Sequence, residues 1–238
     1  MLFDFHCHPQ LFLADSIHCK ERDEMLLSWQ KDTLHACCTK YADIQELQSL
    51  HITHPNMEIS VGLHPWFIPE ANDIDEEIQN IVAYIANYPC SVGEIGVDNS
   101  RKYKSTLPKQ IYVFERILQV ATTLQRPITI HAVRSHHIIL ELLPKYPKTK
   151  IYMHRFQGNE AIMRMYKKHS TYALFGIVVD CLHPYSFIPM ENLALESDGS
   201  IHREIFYEHL QQLATKLQIS IDCLIAKQQS NYHSFFTI

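Results

Sequence analysis

The chain has 238 residues, 46% hydrophobic and 20% charged, with a formal net charge of −5 at pH 7 and a pI near 6.3. That much apolar residue over that length buries a full core, while the negative balance argues against a broad basic surface for gripping long stretches of duplex nucleic acid; a phosphate-bearing substrate would be held locally, by metal and a few cations. Seven cysteines in no regular framework, no secretory leader, no long apolar span and no Gly/Ser- or Pro-rich linker lead us to expect one domain over residues 1–238, free of the membrane and in a reducing cytoplasm.

The first run, Leu2-Phe3-Asp4-Phe5-His6-Cys7-His8-Pro9, reads as a strand, and the two-residue period of strand side chains puts His6 and His8 on one face. Two imidazoles so placed can grip one ion at roughly 2.0–2.1 Å, although two histidines that merely cap a strand would look the same. Further β-like runs follow near residues 34–38, 57–63, 91–97, 127–131, 150–154, 172–177 and 192–196. Apolar residues at helical spacing separate them, as in Ile44/Leu47/Leu50, Ile78/Ile81/Val82/Ile85 and Ile111/Phe114/Ile117/Leu118/Ala121. Residues 202–236 read as two closing helices. Strand and helix alternating eight times predict a parallel sheet with right-handed crossovers, the count of a (β/α)8 TIM barrel. A doubly wound open sheet satisfies the same periodicity. It gathers strand ends less naturally than a barrel, where all the C-terminal ends open on one face.

The strand ends then form one constellation. His64-Pro65 follows the third run, Gly93-Glu94-Ile95-Gly96-Val97-Asp98 lies in the fourth, His131 closes the fifth, His154 the sixth, and Glu196-Ser197-Asp198 the eighth. His6, His8, Glu94, His131, His154 and Asp198 are therefore the candidate metal ligands. Of 16 histidines, His18, His35, His51, His54, His136, His137, His169, His183, His202, His209 and His233 lie in helical or loop-like stretches and read as solvated or core-packed rings. Gly-x-Gly-x-x-Gly, Walker, Cys-x-x-Cys and Gly-x-Ser-x-Gly motifs are missing, which sets aside dinucleotide, nucleoside-triphosphate and serine-hydrolase chemistry. No lysine stands at a strand end to be carboxylated.

At these residues the chain resembles the TatD family of metal-dependent deoxyribonucleases, within the amidohydrolase-like barrels. Asp4-x-His6-x-His8, Gly62-x-His64-Pro65, Gly93 to Asp98, Pro127-Ile128-x-Ile130-His131, His154-x-Phe156-x-Gly158 and Glu196-Ser197-Asp198 stand in family order, and the likeness runs on to Asn231-Tyr232-His233-Ser234-Phe235-Phe236. The resemblance implies that His6, His8, Glu94 and Asp198 surround one divalent ion and Glu94, His131 and His154 a second, with Glu94 as bridge. It also implies that Asp198 orients the attacking water and takes its proton, so that Asp198 and Glu94 are the expected catalytic groups. Two carboxylates against two divalent ions leave a positive pocket suited to a phosphodiester, and imidazole-rich ligation favours Zn2+ or another late transition ion over Mg2+, with Mg2+ or Mn2+ as the alternatives.

Three substrate contacts are expected. The resemblance brings His64 to the phosphate, where a loop imidazole bonded to nearby backbone is the alternative. Arg134 is the best cation for clamping a phosphate oxygen, yet it follows His131 by three residues where the family usually spaces it by two. Arg155 and Gln157 replace the family's usual Cys and Ser, and Arg155 either adds a phosphate contact or faces a neighbouring helix. Asp4 and Asp98 are expected to fix loops, and Glu196 to orient a ligand imidazole. After Asp198, Gly199-Ser200-Ile201 passes almost directly towards a helix, where many family members carry a longer loop; this looks similar to a compact subgroup. The expected activity is exonuclease-like cleavage of DNA ends or single strands, without an obligate protein partner. The same centre acting on an ester such as D-aminoacyl-tRNA, and a metal-stabilised barrel that only binds a partner, are the alternatives.

Overall fold

The element order follows the alternation of apolar periods, and a computed structural model describes it for residues 1–11, 16–70, 74–147, 149–179, 187–199 and 202–237. The strands are β1 (Phe3–Cys7), β2 (Thr33–Cys37), β3 (Met57–Val61), β4 (Ser91–Asp98), β5 (Ile128–Val133), β6 (Lys150–Met153), β7 (Tyr172–Val178) and β8 (Leu193–Glu196). The helices are α1 (Ser16–Ser28), α2 (Asp43–Thr53), α3 (Asp75–Asn87), α4 (Leu107–Thr123), α5 (His136–Leu142), α6 (Glu160–His169), α7 (Arg203–Lys216) and α8 (Ile221–Phe236). His18 and His183 fall where no side chain is described, and Ser200 and Ile201 lie outside the described residues.

Neighbouring strands pair in parallel from β1 to β8 in strict chain order, which is barrel order and not the reversing order of an open doubly wound sheet. Just past β8 the Asp198 N–H donates to the His6 carbonyl at 3.0 Å and the His8 N–H to the Gly199 carbonyl at 3.1 Å, bringing the first and last strands together in a nearly closed barrel. Burial on both faces explains why the strands read as continuous apolar runs: every residue of β1 and β4 is buried. The helices cover the barrel with apolar stripes, Val113, Phe114, Ile117, Leu118 and Ala121 of α4 among them.

The last helix also fixes the strand that carries Asp198. Gln228 accepts from the Leu195 N–H at 3.0 Å and donates to the Leu193 carbonyl at 3.1 Å, while Asn231 donates to the same carbonyl at 2.8 Å. Side-chain amides thus finish the hydrogen bonding of a short strand. Among the described residues, no helix is long and apolar enough to cross a membrane.

At the N-terminal end of the barrel a cavity of about 450 Å3 lies between Phe3, His35, Glu58 and Tyr232. His35 is buried with both ring nitrogens engaged, by Tyr232 Oη at 3.1 Å and Ser91 Oγ at 2.9 Å. Burial, reinforced by nearby His6, pushes its pKa down from 6.5 to about 3. Between those values the unfolded chain binds a proton that the folded protein refuses, so stability falls as pH drops below about 6.5, by up to about 1.4 kcal/mol per pH unit. His35→Gln, uncharged at any pH, is expected to flatten the decline of urea midpoints from pH 6.5 to about 4. Equal slopes in the two proteins would contradict the assignment.

Candidate metal centre

The strands that carry ligands are locally irregular where the ligands sit. The β1–β2 register shifts between Asp4 and Cys7, and the β4–β5 register between Val92 and Ile95. Such bulges bend a strand and re-aim a side chain, here His6 and Glu94. Glycine is needed at position 96, at φ +152°, because a Cβ there would collide with the His131 carbonyl; its absence lets β4 lie close against β5.

At the C-terminal mouth the other five candidate ligands gather around Glu94. Glu94 Oε2 lies 3.2 Å from His6 Nε2 and 3.4 Å from His8 Nε2, and those two nitrogens are 2.9 Å apart. On the other side, Glu94 Oε1 lies 2.8 Å from His131 Nδ1, 3.5 Å from His64 Nε2 and 3.8 Å from His154 Nε2. Asp198 Oδ1 stands 3.2 Å from His154 Nε2, 3.8 Å from His6 Nε2 and 4.0 Å from His8 Nε2. His154 also stacks on His6, ring centres 3.8 Å apart, so it sits between the two ligand groups rather than wholly on the His131 side.

The outward nitrogens show which rings are oriented to offer an inward lone pair to a cation. His8 Nδ1 faces the Cys37 carbonyl at 2.9 Å, His131 Nε2 faces Asp98 Oδ2 at 3.4 Å, and His154 Nδ1 faces Glu196 Oε2 at 3.1 Å. Each of these partners is an acceptor that can hold the proton of the outward nitrogen and so leave the inward lone pair to a cation, the arrangement of metal-ligating histidines. The inward His131 Nδ1 and His154 Nε2 also meet carboxylates, Glu94 at 2.8 Å and Asp198 at 3.2 Å, which raise both rings so that binding a cation displaces their inward protons. His6 Nδ1 meets Cys37 Sγ at 3.1 Å, and that sulfur accepts from Ser60 Oγ at 2.9 Å. His64 is the opposite case. Its Nδ1 accepts the Trp66 backbone N–H at 3.1 Å, which places its proton on Nε2 and makes the inward nitrogen a donor.

Charge within the mouth follows from these contacts. Burial pushes the Glu94 carboxyl up, but the surrounding imidazoles, His154 first, outweigh it and hold it well below the usual range. Burial and His154 likewise oppose each other at Asp198, and the imidazole wins. His154 is raised well above its ordinary value because Glu196 and Glu94 overcome its desolvation. His64, governed by burial, falls to about 4 and is neutral at pH 7.

The donor set fits divalent ions. Glu94 Oε2 is buried with no hydrogen-bond partner among the described residues, a costly state for a charged group that a cation held with His6 and His8 relieves. Ligand atoms of His6, His8 and Glu94 lie within 4.8 Å of one another, as do those of His6, His154 and Glu196. Those of His64, Glu94 and His131 do too, but the inward Nε2 of His64 carries its proton, so Glu94 and His131 are what that group offers an ion. Glu196 is committed elsewhere: besides His154 it takes the Tyr152 hydroxyl and, at 2.8 Å, the Arg155 N–H. Its placement fits an orienting group. Asp4 accepts from Ser197 N and Oγ at 3.0 and 2.5 Å, and Asp98 from Ser100 N at 2.8 Å and Trp66 Nε1 at 2.7 Å, both tying loops to strands.

A cavity of about 590 Å3 opens over the centre, lined in part by His8, His64, Glu94, His131, His154 and Asp198. Arg155 reaches its edge, and its Nη1 lies 2.5 Å from Asp198 Oδ2. Both residues have left-handed backbone, φ 41° and 53°, uncommon for side chains other than glycine. Arg134, at φ 53°, is exposed and lies outside the cavity lining; the structure does not gather it with the others. Sequence reasoning missed Cys37, which supports both first-strand histidines, and Trp66, which lines the cavity. Cys37 closes β2, so the strand-end rule that found the ligands also points to it.

A sequence model of the family described as TatD related DNase matches residues 3–236. A human protein named 3'-5' RNA nuclease TATDN2 is 29% identical over 58% of this chain, a stretch that is 19% of the human protein. A Salmonella typhimurium protein named 3'-5' ssDNA/RNA exonuclease TatD is 27% identical over 68% of this chain and 65% of its own. An uncharacterized metal-dependent hydrolase of Buchnera aphidicola is 23% identical over 100% of this chain and 96% of its own. Among solved structures, the TatD homologue YJJV of Escherichia coli superposes with a TM-score of 0.83 at 18% identity, covering 100% of this chain and 98% of that one, a likeness of fold.

Proposed function

The chain belongs to the TatD-related DNase family, and we propose from that premise that its barrel mouth holds two divalent ions and hydrolyses phosphodiester bonds in the ends or single strands of nucleic acid. The observation that carries this reading is Glu94, one oxygen turned to His6 and His8 and the other to His131 and His154, as a carboxylate shared by two ions would be. Six ligands with a shared carboxylate exceed what a closed, four-coordinate structural site needs, which disfavours a barrel kept only for stability and partner binding. Imidazole-rich ligation favours Zn2+ over the oxygen-seeking Mg2+. A divalent ion bound there supplies Lewis acidity towards a phosphoryl oxygen and lowers the pKa of coordinated water towards ~7.

The chain's own groups do the rest. His64, neutral and carrying its proton on Nε2, donates a hydrogen bond to a non-bridging phosphate oxygen. Asp198 turns Oδ1 to the centre and accepts the proton of the attacking water. Arg155 holds Oδ2 of the same carboxylate at 2.5 Å, and this charge-assisted bond fixes the plane of the base. Arg134, exposed and outside the cavity lining, has no part in this reading.

The test is a side-by-side assay. Protein loaded with Zn2+, Mn2+ or Mg2+ is expected to shorten labelled single-stranded DNA or RNA, with near two ions per chain by elemental analysis. Release of D-amino acid from charged tRNA with oligonucleotides untouched would move the assignment to ester cleavage. Inertness on both, at normal metal content, would end the hydrolase reading of this centre.

A further inference from the structure

The rim of the mouth carries an aromatic surface that metal chemistry does not require. Trp66, in the short 3-10 turn Pro65–Phe67 that follows His64, is 50% exposed although it is the bulkiest kind of apolar side chain. Its ring lies parallel to Tyr103, centres 5.3 Å apart at 12°. Its Nε1–H donates to Asp98 Oδ2 at 2.7 Å, and Asp98 is the acceptor that also holds His131. The indole is therefore locked in orientation before any ligand arrives, which removes much of the ordering cost of binding. It stands 4.9 Å from the His64 ring and 5.8 Å from the His131 ring, centre to centre. Lys102 places its ammonium 4.8 Å from the Tyr103 ring and 5.9 Å from the indole. Beside it, Phe67 is 39% exposed with Lys40 5.5 Å from its ring.

A fixed aromatic face flanked by cations, within one nucleotide's reach of a phosphate-binding centre, is the composition of a single-strand binding track. We propose that Trp66, backed by Tyr103 and flanked by Lys102, is the stacking platform for an unpaired base whose adjoining phosphate lies at the His64–Glu94 centre. The inference rests on the nuclease reading and narrows it to strands with unstacked bases. A base inside a duplex is already stacked on both faces and cannot lie on a protein ring. Stacking accepts every base because each has a π face, so the platform selects for single-strandedness rather than sequence. DNA and RNA are treated alike at this point, since the platform reads no 2′-hydroxyl.

The test compares a fluorescein-labelled thymidine decamer with a decamer of abasic deoxyribose phosphates of equal charge. Anisotropy is read on Zn2+-loaded protein, with phosphorothioate linkages in both decamers to keep the charge and slow cleavage. Wild type is expected to bind the thymidine decamer more tightly than the abasic one. Trp66→Ala should weaken thymidine binding by about 5- to 150-fold, the loss of one base stack, and leave abasic binding unchanged. Trp66→Phe, which keeps a ring but loses the bond to Asp98, should fall between. Emission of Trp66 in a Trp29→Phe background should be quenched by the thymidine decamer alone. On the metal-loaded enzyme the loss should appear in KM for single strands. Equal binding of the two decamers by wild type, or an equal loss on both in Trp66→Ala, overturns the platform. The nuclease reading fails separately, by the absence of cleavage in loaded wild type, because the platform is judged on binding.

Discussion

Glu94→Gln is expected to lower bound metal from near two ions per chain to one or fewer and to abolish measurable hydrolysis, with the barrel intact. The substitution keeps shape and volume, so the parallel ladder from β1 to β8 is undisturbed. What changes is charge and donor sense. Glu94 now offers two anionic oxygens to inward nitrogens of His6, His8, His131 and His154 at 3.2, 3.4, 2.8 and 3.8 Å. Glutamine offers one neutral oxygen and turns an NH2 group on the other side, where it competes for the imidazole lone pairs that would hold an ion. Altering a group that only supports a ligand costs metal affinity roughly 10–100-fold, and removing a shared ligand should exceed that. Thermal unfolding separates this from misfolding. Stripped Glu94→Gln should still unfold in one cooperative step, and added Zn2+ should raise the melting temperature of wild type by more than that of the variant, since an ion that binds the folded state stabilises it by mass action. Retention of two ions and of activity by Glu94→Gln would refute the shared-carboxylate centre.

The part of this centre that sequence could reach is the part that obeys periodicity. His6 and His8 declare themselves because a period of two and an apolar run fix their face, and their Nε2 atoms do meet at 2.9 Å. Each of the eight runs appears as a strand, with boundaries moved by a residue or two; the fifth extends to Val133 because its pairing with β4 continues to Asp98. The closing helices of residues 202–236 also appear, as α7 and α8. What sequence could not reach depends on a single hydrogen bond or dihedral. His64 reads as a phosphate contact, with a loop imidazole bonded to nearby backbone as the alternative, and sequence gives no sign that its Nδ1 accepts from Trp66 N and so leaves Nε2 as a donor. Arg134 has the right chemistry for a clamp, but a left-handed backbone past β5 and an exposed position keep it out of the lining. Arg155 finds its partner Asp198 43 residues away. Cys37 contributes its carbonyl to His8, and no side-chain identity announces a carbonyl.

Asp198→Asn should produce the second large effect, and of a different kind. The carboxylate now spans two partners, Oδ1 towards His154 Nε2 at 3.2 Å and Oδ2 towards Arg155 Nη1 at 2.5 Å. Arg155 can only donate, so asparagine must turn its oxygen to the guanidinium and its NH2 to the centre. A proton acceptor is then replaced by a donor at the point where the proposed mechanism has the attacking water deprotonated. Loss of a positioned general base costs typically about 10²–10⁴-fold, and that is the drop expected in kcat. KM for a single-stranded oligonucleotide should stay within a few-fold of wild type, because His64 and the Trp66 rim are untouched; kcat and kcat/KM should therefore fall together, the pattern of an interaction made in the transition state alone. Single-turnover rates with elemental analysis of the same sample decide the cause. A slow chemical step at unchanged metal content assigns Asp198 as the base. A rate within about threefold of wild type at full metal content would move the base elsewhere in the mouth, and a loss of ions in proportion to rate would show that Asp198 serves the reaction only by holding metal.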